Sequence, residues 1–214
     1  MTGQCDRFAA VLRDIDAANA EDPRRVEVTG VKTPYEVLYS ERMSDRLARM
    51  YPGASETLRI AARAQHIRRW EIPRERFAAG RAGYNDWRKA CREHHADLVA
   101  NILTRQGYGR SDVAHVAKLI KKEQLKKDAE SQALENVVGV VFIEHYLEDF
   151  LAKHTHYTEE RLVDIVGKIL RKMSPKGHGA ALALELKPEI RALLTNAMVR
   201  DAAVLAKLAE VAVD

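Results

Sequence analysis

Cysteine is nearly missing from this chain: Cys5 and Cys91 are the two present in 214 residues, far apart and outside any CxxC spacing. That excludes a disulfide framework and predicts two free thiols. Long apolar runs are missing too, since none approaches the roughly 18 to 20 residues that cross a bilayer. The opening stretch MTGQCDRFAAVLRDID has no basic start, apolar centre or small-residue cleavage site. No secretory signal is therefore expected, and a cytoplasmic location is the expectation. Strand signal is equally scarce. Residues Val26 to Leu38, VEVTGVKTPYEVL, carry the one clear alternation, broken by Gly30 and Pro34, and read as an extended loop. With no succession of strands and no internal repeat, the expected class is all-α.

What is present suits a globular chain: 46% hydrophobic and 31% charged residues exclude wholesale disorder. The length fits a single-domain multi-helix bundle, with residues 1–154 as its core and 155–214 as a C-terminal helical extension packed on that core. Phe8, Val11, Leu12 and Ile15 have helical spacing and predict a first helix over about Gln4 to Asn19. Ser40 is expected to cap a second, stopped by Tyr51-Pro52-Gly53, and a third starts near Ser55. Asn85 is expected to open a long helix to about Gln106, with Trp87, Cys91, His94, Leu98 and Ile102 inward and His95 and Val99 beside them. Ser111 starts the next, and Asp128 opens the most apolar helix, in which Glu135 is the exception. A carboxylate there must be paired, metal-bound, protonated or at the solvent edge, because an unpaired buried charge costs too much. A helix from Thr158 to about Met173, an SPKGHG linker whose Lys176 and His178 are either exposed, the favoured reading, or close one side of a cleft, and a helical tail with Pro188 at a helix start complete the chain.

The stretch Ala61 to Arg74, AARAQHIRRWEIPR, concentrates the chemistry. Read as a helix, it lines Arg59, Arg63, His66 and Trp70 along one face. A histidine there serves as a metal ligand, a proton-transfer group or a hydrogen-bonded core residue. Between Arg59 and Arg92 there are ten Lys or Arg against three acids, and nine of the ten are arginine. The forked guanidinium suits carboxylate and phosphate, so this segment predicts an anion site, with a solvated charged face as the plain alternative. The substrate-binding candidates are Arg63, Arg69, Arg81 and Arg88, with Trp70, Tyr84 and Trp87 lining the pocket. Without a recognisable reader motif, nucleic acid is not an expected partner.

Over nearly its whole length the chain resembles the domain of unknown function 4202 family, through IDAANAEDP, PYEVLYSERM, AARAQHIRRWEIPR, RAGYNDWR, the HHAD helix, LENVVGVVFIEHY and KMSPKGH. Its segment order is also similar to HD-domain proteins, all-helical metal enzymes that include phosphohydrolases and di-iron oxygenases. SERM, ARAQHIRRW, EHHADLVANIL and ALENVV stand where that pattern has its ligand helices, but Ser40 replaces the first histidine and the His-Asp pair reads Gln65-His66. The resemblance implies a degenerate HD-like core. The ordinary ligand set of that pattern is absent, and the arrangement expected in its place uses His66, His94 or His95, and Glu135, holding iron, zinc or manganese. A metal-free version uses His66 or His94 as acid or base, with Glu135 orienting it. The function this implies is a hydrolase or oxygenase acting on a small anionic, phosphorylated or nucleotide-like substrate. The rival is a non-catalytic metabolite sensor or partner-binding regulator. KMSPK at Lys172 to Lys176 is similar to the KMSK loop of class I aminoacyl-tRNA synthetases, but that loop works on a parallel α/β domain this chain has no strands to build.

Overall fold

A computed structural model describes residues 2–213, with side-chain surroundings for 6–213, so the thiol expected at Cys5 lies outside the described side chains. The fold is all-α. Its elements are α1 (Thr2–Ala20), a hairpin of β1 (Arg25–Val28) and β2 (Val31–Pro34), α2 (Tyr35–Met50), α3 (Glu56–Arg63), α4 (Gly80–Arg105), α5 (Arg110–Lys121), α6 (Ala129–His145), α7 (Leu147–Lys153), α8 (Glu159–Leu170), α9 (Pro175–Leu182) and α10 (Pro188–Ala209). Among the described residues no helix is long and apolar enough to cross a membrane.

The chain forms two compact units, Met1–Ala48 with Pro52–Glu123, and Arg49–Tyr51 with Gln124–Asp214. The division after Glu123 falls inside the segment that the sequence groups as one core. In the first unit α4 packs along α5, and α3 meets both α1 and α5. Val11, Ile15, Met43, Ile60, Val99, Leu103 and Ile120 are buried there. In the second, α8 packs on α10 and α6 on α9 around Val140, Ile143, Val166, Leu170, Leu194 and Ala197.

Several boundaries differ from the sequence expectation, each for a local reason. The extended loop is a two-stranded hairpin with Arg25 opposite Pro34, because Thr29 and Gly30 both take positive φ, 48° and 82°, and make a two-residue turn. Pro34 sits at the strand end, where its missing donor does no harm. Helix α2 begins at Tyr35 rather than Ser40. Asp22 Oδ2 accepts from Glu36 N at 3.2 Å and supplies the capping acceptor from a distance, while Ser40 is buried within the helix. The helix starts expected at Ser55, Asp128 and Thr158 are observed, and their side chains cap by accepting from Leu58 N, Ser131 N and Arg161 N. Helix α4 ends at Gly107 (φ 75°) in a Schellman motif, with Tyr108 N donating to Leu103 O and Gly107 N to Thr104 O. SPKGHG is not a linker but the start of a helix: Pro175 opens α9, Lys176 is exposed as expected, and His178 is instead buried with Nε2 donating to Leu170 O at 2.8 Å. Asn136 holds this turn, accepting from Ser174 N at 2.8 Å and donating to Tyr51 Oη at 2.7 Å and Ser174 Oγ at 2.8 Å.

The largest correction concerns His66. Helix α3 stops at Arg63, and residues 64–67 form turns that lead, through Arg68 at φ 51°, into a short 3-10 turn at Arg69–Glu71. The face of Arg59, Arg63, His66 and Trp70 therefore does not exist. Two side chains from elsewhere capture the backbone here: Asn19 Oδ1 accepts from Arg68 N at 3.1 Å, and His95 Nδ1 lies 2.7 Å from Ile67 O. Backbone groups taken by such partners are lost to the helical ladder.

Candidate functional site

The first unit gathers its titratable groups where the start of α2, the turn after α3 and the middle of α4 come together. Glu36 lies on the inward stripe of α2 with Tyr39, Ser40, Met43 and Leu47, and both its side chain and that of Asp22 are wholly buried. One guanidinium joins them. Arg24 Nε donates to Asp22 Oδ1 at 3.0 Å and Nη2 to Asp22 Oδ2 at 2.8 Å, while Nη2 also reaches Glu36 Oε1 at 2.6 Å. The other oxygen, Glu36 Oε2, makes no hydrogen bond among the described residues and lies 3.6 Å from His66 Nδ1. Burial pushes the Glu36 carboxyl up to about 7, against the opposing pull of its Arg24 hydrogen bond.

His66 is stacked on Tyr39, with ring centroids 3.9 Å apart and planes 11° from parallel. Burial, and after it the charge of Arg69, holds its imidazolium well below the usual histidine range, so His66 is neutral at pH 7. The His95 ring centroid lies 6.0 Å from that of His66, and its Nδ1 faces the Ile67 carbonyl. Burial, again followed by Arg69, takes His95 down to about 3. His94 stands on the flank of α4, half-buried, with Nε2 2.9 Å from Glu71 Oε2. The hydrogen bond from Arg68 holds Glu71 below the usual carboxylate range. So both histidines belong to one cluster, His95 inside it and His94 at its edge.

Arg69 is the cation whose charge bears on most of this group. Its guanidinium lies 4.6 Å over the Trp87 ring and, among the described residues, makes no side-chain hydrogen bond or ion pair. Its charge nonetheless bears on Glu36, His66, His95 and Cys91. Arg88, 5.9 Å from the Tyr84 ring, adds to the field at His66 and Cys91. An arginine with unspent donors suits carboxylate and phosphate by its forked geometry.

The other expected residues are placed as follows. Arg63 is committed within the unit, its Nε donating to Asp16 Oδ1 at 2.7 Å and its Nη1 to Ser44 Oγ at 3.4 Å. Trp70 lies under Arg68 at 5.4 Å, Arg81 is exposed, and Tyr84 is exposed with its ring 5.7 Å from Trp87. Glu135 is buried on α6 in the second unit. Among the described residues no group of three or more His, Cys, Asp and Glu could hold a metal ion. The donor set expected from the HD resemblance thus does not fit a metal. Sequence reading missed Glu36, Asp22, Arg24 and Glu71. For Glu36 a signal existed: with Tyr39, Ser40, Met43 and Leu47 it keeps helical spacing, and a glutamate on such a stripe marks a buried carboxyl.

Compared with known proteins, residues 9–194 match the family model described as Domain of unknown function (DUF4202). No curated protein and no solved structure matches the chain.

Proposed function

Because the chain belongs to the domain of unknown function 4202 family, a name that carries no chemistry, we propose a function from the first-unit site itself: an enzyme that hydrolyses a small phosphorylated anion. The observation that carries this reading is the Glu36–His66 pair, 3.6 Å apart, beside the uncommitted guanidinium of Arg69. A carboxyl pushed up to about 7 retains its proton in part of the molecules at neutral pH, and an imidazole held below its usual range is unprotonated there, with a bare nitrogen facing the reaction. His66 removes the proton of the attacking water, Glu36 Oε2 protonates the departing oxygen, and Arg69 and Arg88 hold the phosphoryl group. The degenerate HD-like reading agrees with a hydrolytic reaction, and the compartment proposed is the cytoplasm. The expected partner is the small anion itself, with neither membrane nor nucleic acid.

The second reading, a non-catalytic anion sensor, draws on the Tyr39 ring covering one face of His66 at 3.9 Å, which limits the approach of a substrate to the other face and the ring edge. Steady-state hydrolysis of a phosphomonoester panel, paired with calorimetric binding, separates the two. For an enzyme, Glu36→Gln and His66→Gln each lower kcat by about 10²-fold or more with affinity kept, and Arg69→Met raises KM. Binding without turnover by the native chain, weakened by Arg69→Met, assigns the sensor. Absence of both sinks the anion site.

A further inference from the structure

His95 contains a group that the acid–base pair does not use. The Ile67 carbonyl can only accept, so at 2.7 Å it requires the proton of His95 on Nδ1, and a neutral imidazole then has a bare lone pair on Nε2. That nitrogen is buried, in a residue 1% exposed, and has no hydrogen-bond partner among the described residues. A buried acceptor left unpaired costs free energy that a donor entering the site recovers. Glu36 Oε2, 3.6 Å from His66 Nδ1, is a second buried polar atom without a hydrogen bond among the described residues. The charge around these atoms decides what kind of donor enters. Arg69, Arg88 and Lys122 all act against positive charge at His66, and Arg69 does so at His95, so an ammonium or a metal cation is repelled. An uncharged hydroxyl is not.

We propose that His95 Nε2 accepts a hydrogen bond from a hydroxyl of the substrate, and that the site takes anions carrying a hydroxyl close to the charged group, the class of phosphorylated polyols and sugars. This rests on the anion site of the proposed function, with Arg69 holding the charged end, and adds His95 as the residue that selects the neighbouring hydroxyl. The buried ring is fixed by its bond to Ile67, so the acceptor is aimed before the ligand arrives, which favours discrimination over adaptability.

The test compares propyl phosphate with glycerol phosphate, of one chain length and differing in hydroxyls, by calorimetry on the full chain. Glycerol phosphate is expected to bind about tenfold more tightly, because a site built to hydrogen-bond a hydroxyl penalises the analogue without it. In His95→Leu that preference disappears while the affinity for propyl phosphate stays; in His95→Gln, whose amide keeps an acceptor, part of it returns. Should His95→Leu fail to fold, the ¹⁵N resonance of the bare His95 nitrogen in the native chain gives the same answer, shifting upfield with glycerol phosphate and not with propyl phosphate. Equal affinities for the two phosphates, a preference that survives in His95→Leu, or an unmoved resonance overturns the proposal; a trapped water at Nε2 would give those results. Arg69→Met weakens both phosphates together. If it changes neither, or if the native chain binds neither, the anion site itself falls, which is distinct from an anion held through Arg69 without hydroxyl preference.

Discussion

Replacing Glu36 with glutamine should stabilise this protein at alkaline pH and do almost nothing in acid. The native surroundings of Glu36 favour its neutral form, since its carboxyl stands at about 7 against an ordinary 4.5. The folded state therefore holds this proton through a range in which the unfolded chain has released it. Stability then falls as pH rises through that window and levels off above the folded value. Converted at 1.36 kcal/mol for each pKa unit, the full effect is about 3 kcal/mol. Glutamine copies the neutral form and keeps an oxygen for Arg24, so Glu36→Gln and native chain should match at about pH 4 and separate by about 3 kcal/mol, with the variant more stable, at about pH 8. His66 and His95 slope the other way: their folded values are depressed, so stability is lost as pH falls below the unfolded histidine value. Both chains share that slope, and it cancels in the difference. Urea unfolding followed by circular dichroism, at four pH values and one ionic strength, measures the gap. Parallel profiles, or a variant less stable than native at alkaline pH, would refute the reasoning, because either means that the Arg24 pairing outweighs the burial of the charge.

Arg24→Met leaves two wholly buried carboxylates without their guanidinium, and should cost about 2 to 4 kcal/mol near neutrality, in the range of broken buried pairs and discounted for the half-exposed arginine. Adding Glu36→Gln should recover part of that loss, and a double-mutant cycle that shows no coupling argues against the shared clamp. In the second unit, Gly177→Ala would set a Cβ 2.6 Å from Asn136 Oδ1, an atom fixed by Ser174, so thermal unfolding should show a loss of about 1 to 3 kcal/mol. Leu194→Ala empties a wholly buried position on α10 in the second-unit core and should cost about 2 to 5 kcal/mol by urea titration; a smaller value would mean that the neighbours close the gap.

Local pattern was enough for the all-α class and for the helix starts at Ser55, Asp128, Thr158 and Pro188. These depend on residues within one turn of each other, which is the range that spacing and capping chemistry reach. Composition located the arginine-rich segment, since charge is counted without knowing where the chain goes. It could not separate Arg63, spent on Asp16, from Arg69, which keeps its donors free. Only the tertiary structure decided that. It also ended α3 before His66, where Asn19 and His95 draw off the backbone groups of Ile67 and Arg68, and it brought Glu36 to that histidine from the far side of another connection. Capture of a backbone group by a distant side chain, and the pKa of a carboxyl set by what buries it, depend on contacts between elements far apart in sequence. Helical periodicity carries no information about those.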